Sequence, residues 1–150
     1  MLSPAQLTQW TRQALDAARR GDEVLAAMTA GWVADRGDVL DLVAACRVVA
    51  DLALRALLVL YAPPAHGEVW VLHELGNAVG HPERVFAARL VTAYANQDQE
   101  LVTALVAAAA GASPTERADS LRALVTYAVG LDAQAVHHQQ PPEERSEADE

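Results

Sequence analysis

The sequence predicts an all-α chain built from stacked helical hairpins, and three observations carry that prediction. Apolar residues recur at helical spacing in about seven segments, separated by Ser-Pro, Gly-Asp and Gly-His-Pro breaks. Alanine, the strongest helix former, supplies about a fifth of the residues. The three tyrosines, Tyr61, Tyr94 and Tyr127, stand 33 residues apart, and each is followed by alanine.

The first helix opens at Ser3-Pro4, where Ser3 can cap free N–H groups and proline suits the first helical position. Leu7, Trp10, Ala14, Leu15 and Ala18 form its stripe, and Gly21 ends it. Asp22 caps a second helix with the stripe Val24, Leu25, Met28, Trp32 and Val33, stopped by Gly37. Asp38 caps the third and longest helix, which ends near Tyr61 before Pro63-Pro64. Its residues Arg47, Asp51 and Arg55 make two i,i+4 pairs on one exposed strip. The rest is apolar almost all round, so this helix is expected to be the most buried.

Residues 62–67 read as a loop and Glu68 to Val79 as a fourth helix. Pro82 starts a fifth helix through Ala95, and a sixth covers Gln99 to Ala110. A second Ser-Pro signal, Ser113-Pro114, opens a seventh that reaches about Val136. Residues 1–136 are thus expected to form one helical domain. Residues 137–150, acidic and proline-containing, are expected to be a disordered tail.

The tyrosines sit in longer similar strings, 57–62, 90–95 and 123–128. In the last two copies Glu83-Arg84 matches Glu116-Arg117 and Arg89 matches Arg122. Each copy is read as the end of a second helix in a helix–turn–helix unit that buries its apolar face only by stacking on neighbours. The competing reading is an irregular helical bundle. The string Leu75-Gly76-Asn77-Ala78 resembles the first helix of a tetratricopeptide repeat, and Ala88 and Ala95 then fall at that family's small second-helix positions. The resemblance implies a scaffold that binds a protein or peptide. The early stop at Gly80 and Glu100 in place of a closing proline depart from the family pattern.

Charge narrows the function classes. The chain of 150 residues carries a net charge of −9 and a pI of about 4.9. All eleven basic residues are arginine, and none gather into a basic stripe. Nucleic acid and anionic membrane surfaces are therefore not expected partners. The most apolar stretch, 39–62, contains Asp41, Arg47, Asp51 and Arg55, which argues against a membrane span. Residues 1–20 lack a secretory signal pattern, so a cytoplasmic location is expected. Cys46 lies in an apolar run and reads as a buried hydrophobe.

The string His73-Glu74-Leu75-Gly76-Asn77 resembles the zinc-metallopeptidase helix, in which two histidines one turn apart hold the metal and the glutamate activates water. Asn77 replaces the second histidine, and His81 stands two turns from His73. The motif is incomplete, so no catalytic, metal or cofactor-binding residues are assigned. Glu68, Glu74, Glu83 and Glu100 lack the histidine three positions on that a di-iron bundle needs. Trp10, Trp32, Trp70 and Phe86 read as core or interface. The function expected is a non-enzymatic, acidic helical adaptor for a protein or peptide, with a homodimer as the alternative.

Overall fold

The computed structural model describes residues 2–71 and 80–141. Among them are six helices, α1 (Pro4–Arg19), α2 (Glu23–Arg36), α3 (Val39–Leu60), α4 (Pro82–Ala95), α5 (Gln99–Ala110) and α6 (Pro114–Gln139), and no strand. The expectation of about seven helices is corrected over Glu68–Val71, which is not helical. The remainder of that expected helix, with the Leu75–Ala78 resemblance and the His73-Glu74-Asn77 string, lies outside the described residues.

Local chemistry sets the helix starts. Ser3 accepts from the Gln6 N–H and Gln6 returns a bond to the Ser3 N–H, and Ser113 and Glu116 repeat the arrangement. Each is a reciprocal cap followed by proline at the first helical position. Asp38 and Asp41 form a third reciprocal cap at the start of α3, without the proline, and Asp22 and Asp98 cap α2 and α5 from one side.

Two hairpins share one turn. In α1–α2 the Asp22 N–H donates to the Ala17 carbonyl and the Gly21 N–H to Ala18; in α4–α5 the Asp98 N–H donates to Ala93 and the Gln97 N–H to Tyr94. This is the Schellman closure, with the following residue already capping the next helix. The left-handed position has φ 74° at Gly21 and φ 60° at Gln97. Glycine carries no steric penalty there, whereas glutamine does.

The hairpins flank a central pair. α6 packs against all five other helices, most extensively α3, α2 and α4, while α3 also meets α4, α5 and α1. The core runs along this pair through Leu57, Leu90, Leu124, Val33, Val49 and Val91, all fully buried. Many remaining core positions are alanine, including Ala17, Ala45, Ala50, Ala53, Ala87 and Ala128. Short side chains let the axes approach closely, so the alanine content is packing geometry as well as helix propensity. α3 contributes the largest set of buried side chains, as its composition predicts.

The tyrosines do not occupy equivalent places. Tyr61 follows the last residue of α3 and Tyr94 stands one residue before the end of α4, but Tyr127 lies in the middle of α6. The reading of every copy as a helix end is corrected at this third position. α6 also continues through His137, His138 and Gln139, residues expected to belong to a disordered tail, and residues 142–150 of that expected tail lie outside the described residues.

An N-terminal clasp completes the fold. The Asp41 carboxylate accepts from the Leu2 N–H at 2.9 Å and from the Asp38 N–H at 3.1 Å. Gly37 fits beside it because a Cβ there would lie 2.7 Å from the Val33 carbonyl oxygen and 3.1 Å from Asp41 Cβ. The Leu2 N–H chiefly, with the Asp38 N–H, lowers the Asp41 pKa below its ordinary 3.8 against the opposing push of burial.

Two outcomes follow from these contacts. A carboxyl whose pKa is lowered on folding stabilises the fold above its unfolded value and loses that contribution as pH falls through the folded value. Acid titration followed by circular dichroism should therefore show wild type losing more stability below about pH 4 than Asp41→Asn, which is weaker at neutral pH but flatter on the acid side. Gln97→Gly should raise the unfolding free energy by about 1 kcal/mol in chemical denaturation, by relieving the left-handed backbone.

Candidate interaction surface

α2 carries more apolar surface than the bundle covers. Ala26, Ala30, Val33 and Ala34 are buried, whereas Val24, Leu25, Met28 and Trp32 are exposed, Met28 at 57% and Trp32 at 47%. The stripe expected to face the core thus divides: Val33 is inside, and the other four face outward. Both faces of the helix are apolar, so periodicity alone does not say which one the bundle covers.

Trp32 is held in place despite its exposure. Its ring meets Trp10 of α1 edge to face, with centroids 5.5 Å apart and planes at 88°. The Arg36 guanidinium stacks 4.2 Å from the Trp32 centroid and 5.9 Å from that of Trp10. A cation over the ring face is attracted by the ring's negative quadrupole, which helps to fix both side chains. Among the described residues Arg36 makes no ion pair. A shallow cavity of about 180 Å³ lies beside the pair, bounded by Gln13, Leu25, Met28 and Thr29.

A second cluster joins α3 to the α4–α5 hairpin. Tyr94 donates to Asp51 at 3.1 Å, and Asp51 pairs with Arg55 at 2.9 Å. Burial, then the Asp51 carboxylate, raises the Tyr94 pKa. Arg47 bonds to Gln99 rather than to Asp51, so only one of the two expected i,i+4 pairs forms. This network ties helices together.

Asn96 positions the segment where a helix was expected. The Trp70 N–H donates to Asn96 Oδ1 at 2.7 Å and Asn96 Nδ2 donates to the Trp70 carbonyl at 3.1 Å. One side-chain amide thus occupies both polar groups of one residue's backbone, as a neighbouring strand would. Trp70 rests against the core, as do Trp10 and Phe86.

A cleft of about 460 Å³ lies between the α1–α2 turn, the start of α4 and the middle of α6. Glu23, Glu83, Arg84, Arg122 and Tyr127 line it, two acids against two arginines. It collects Glu83-Arg84, Arg122 and Tyr127 of the aligned copies, an association the sequence comparison alone does not show.

The other singled-out residues are dispersed. His81 precedes α4, with Nδ1 3.5 Å from the Glu83 carboxylate. Cys46 is fully enclosed, and burial pushes its thiol up to about 12, which removes thiolate chemistry near neutral pH. Among the described residues no three His, Cys, Asp or Glu side chains are grouped to hold a metal ion, and no helix is long and apolar enough to cross a membrane. Compared with protein-family models, curated proteins and solved structures, the chain matches none.

The Asn96 contact has a measurable consequence. Asn96→Ala leaves the Trp70 backbone groups unpaired and should lower stability by about 1–2 kcal/mol, with faster proteolysis confined to the segment preceding α4. Equal proteolysis of both proteins at that segment would refute this role for Asn96.

Proposed function

We propose that the chain is a non-enzymatic helical adaptor that binds a protein or peptide through the Trp10–Trp32–Arg36 face. The observation that carries the reading is Trp32 itself: a tryptophan about half exposed, braced by a second tryptophan and a stacked arginine, with Leu25 and Met28 alongside. Tryptophan and arginine are the side chains that most often dominate interface energetics, and methionine adapts to varied apolar partners. Bracing reduces the rotamer freedom that Trp32 loses on binding, so more of its contact energy appears as affinity.

A hairpin-built scaffold is supported by the common turn of α1–α2 and α4–α5. The linear 33-residue array has less support. Units of an array touch only their neighbours, whereas α6 lies against α1, α2 and α3. The tetratricopeptide-like reading keeps only Ala88 and Ala95, both buried in α4, among the described residues.

Affinity capture from lysate of the source organism, run in parallel with wild type and Trp32→Ala, tests the proposal. A partner retained by wild type should lose at least about 2 kcal/mol of binding free energy with the variant, about thirtyfold in Kd, while the thermal melt changes little. Retention of the same partners by both proteins would overturn it.

A further inference from the structure

Asn96 has a side chain that its place in the helix does not require. It ends α4 in the turn shared with α1–α2, and the same turn forms with Arg20 at the matching position. The turn therefore sets no demand for an amide. What the amide does is bind the Trp70 backbone, accepting from its N–H at 2.7 Å and donating to its carbonyl at 3.1 Å. One amide reaches both groups only when they lie on the same side of the chain, as in an extended strand. Main-chain bonds of this kind hold extended peptides whatever their sequence, and pockets for side chains add the selection.

Trp70 supplies the side-chain half of the contact. It rests against the core, beside a cavity of about 300 Å³ bounded by Ala88, Thr92 and Ala93 of α4 and Leu101 of α5. The rest of the segment is held thinly. Val69 and Val71 are 64% and 61% exposed, and the Glu68 N–H to Ala65 carbonyl bond is local. A single residue thus seats the segment on α4–α5, and it does so through groups that any extended peptide carries.

We infer that the α4–α5 groove is a binding site for an extended peptide bearing an aromatic residue, and that Val69–Val71 occupies it in cis. Asn96 takes the N–H and carbonyl of the aromatic residue, and the groove takes its ring. The chain's own segment is then a tethered competitor, at a local concentration on the order of millimolar. A partner's peptide enters by displacing it. The site is separate from the Trp10–Trp32–Arg36 face, and its test does not depend on that reading.

Fluorescence anisotropy of the full chain with a labelled, end-capped Glu-Val-Trp-Val peptide, the sequence of 68–71, tests the inference. Trp70→Ala, whose own segment no longer fills the seat, should bind the peptide at least about tenfold more tightly than wild type. Adding Asn96→Ala should remove that gain, and so should methylation of the peptide's tryptophan backbone nitrogen, which deletes the donor. In wild type, excess peptide should speed proteolysis of the segment preceding α4, a readout that does not depend on how well the variants fold. No binding to Trp70→Ala together with unchanged proteolysis of wild type overturns the site. Equal affinity of wild type and Trp70→Ala overturns occupation in cis, and equal affinity for the peptide and its N-methylated form overturns the Asn96 clamp.

Discussion

The packing of α6 along α3 is the contact on which the rest of the bundle depends. Neither hairpin has a core of its own: α1–α2 and α4–α5 each present small side chains that are buried only when the central pair is in place. Leu121, Leu124, Val125, Ala128, Leu131 and Ala135 of α6 fill the space between them. Burial of each large aliphatic side chain contributes about 1.5–3 kcal/mol, and a whole-domain margin is about 5–15 kcal/mol. Loss of a few of these contacts on α6 therefore removes the margin for the whole domain.

Close packing through alanine has a second effect. Helices that approach closely leave little room for long side chains between them, so bulky residues collect at the rim. Trp10, Trp32, Trp70 and Phe86 all lie at helix edges or against the outside of the core. The apolar face of α2 is thus continuous with the construction of the interior. It is the outward side of a helix with apolar residues on both faces, of which the bundle covers one.

The helix boundaries were legible in the sequence because capping is local. Ser3-Pro4, Asp22, Asp38, Asp98 and Ser113-Pro114 satisfy their orphan N–H groups within three residues, so each start is readable without tertiary knowledge. The stretch before α4 was not legible for the opposite reason. Val69 and Val71 flank a tryptophan whose backbone is claimed by Asn96, 26 residues later, and no local pattern announces that bond. The exposed side of α2 was half legible: Leu25, Met28 and Trp32 were recognisable as a stripe, but its mate is Val33's side, not theirs. The tyrosine spacing was real as a sequence feature, yet Tyr127 sits in mid-helix because α6 is longer than the repeat allows.

The order of the helices along the chain bears on how the protein is made. A chain grows at about 5–20 residues per second, and contacts between distant segments form only once both exist. α2, α3 and α4 are all synthesised before the helix that covers them. For several seconds the nascent chain holds three alanine-lined apolar surfaces with no lid, and the outward stripe of α2 is then one sticky face among several. A chaperone that shields apolar helices, or a ribosome-bound factor, would meet this protein as an open half-bundle; only the arrival of α6 turns most of those faces inward, with the outward stripe of α2 among those left exposed.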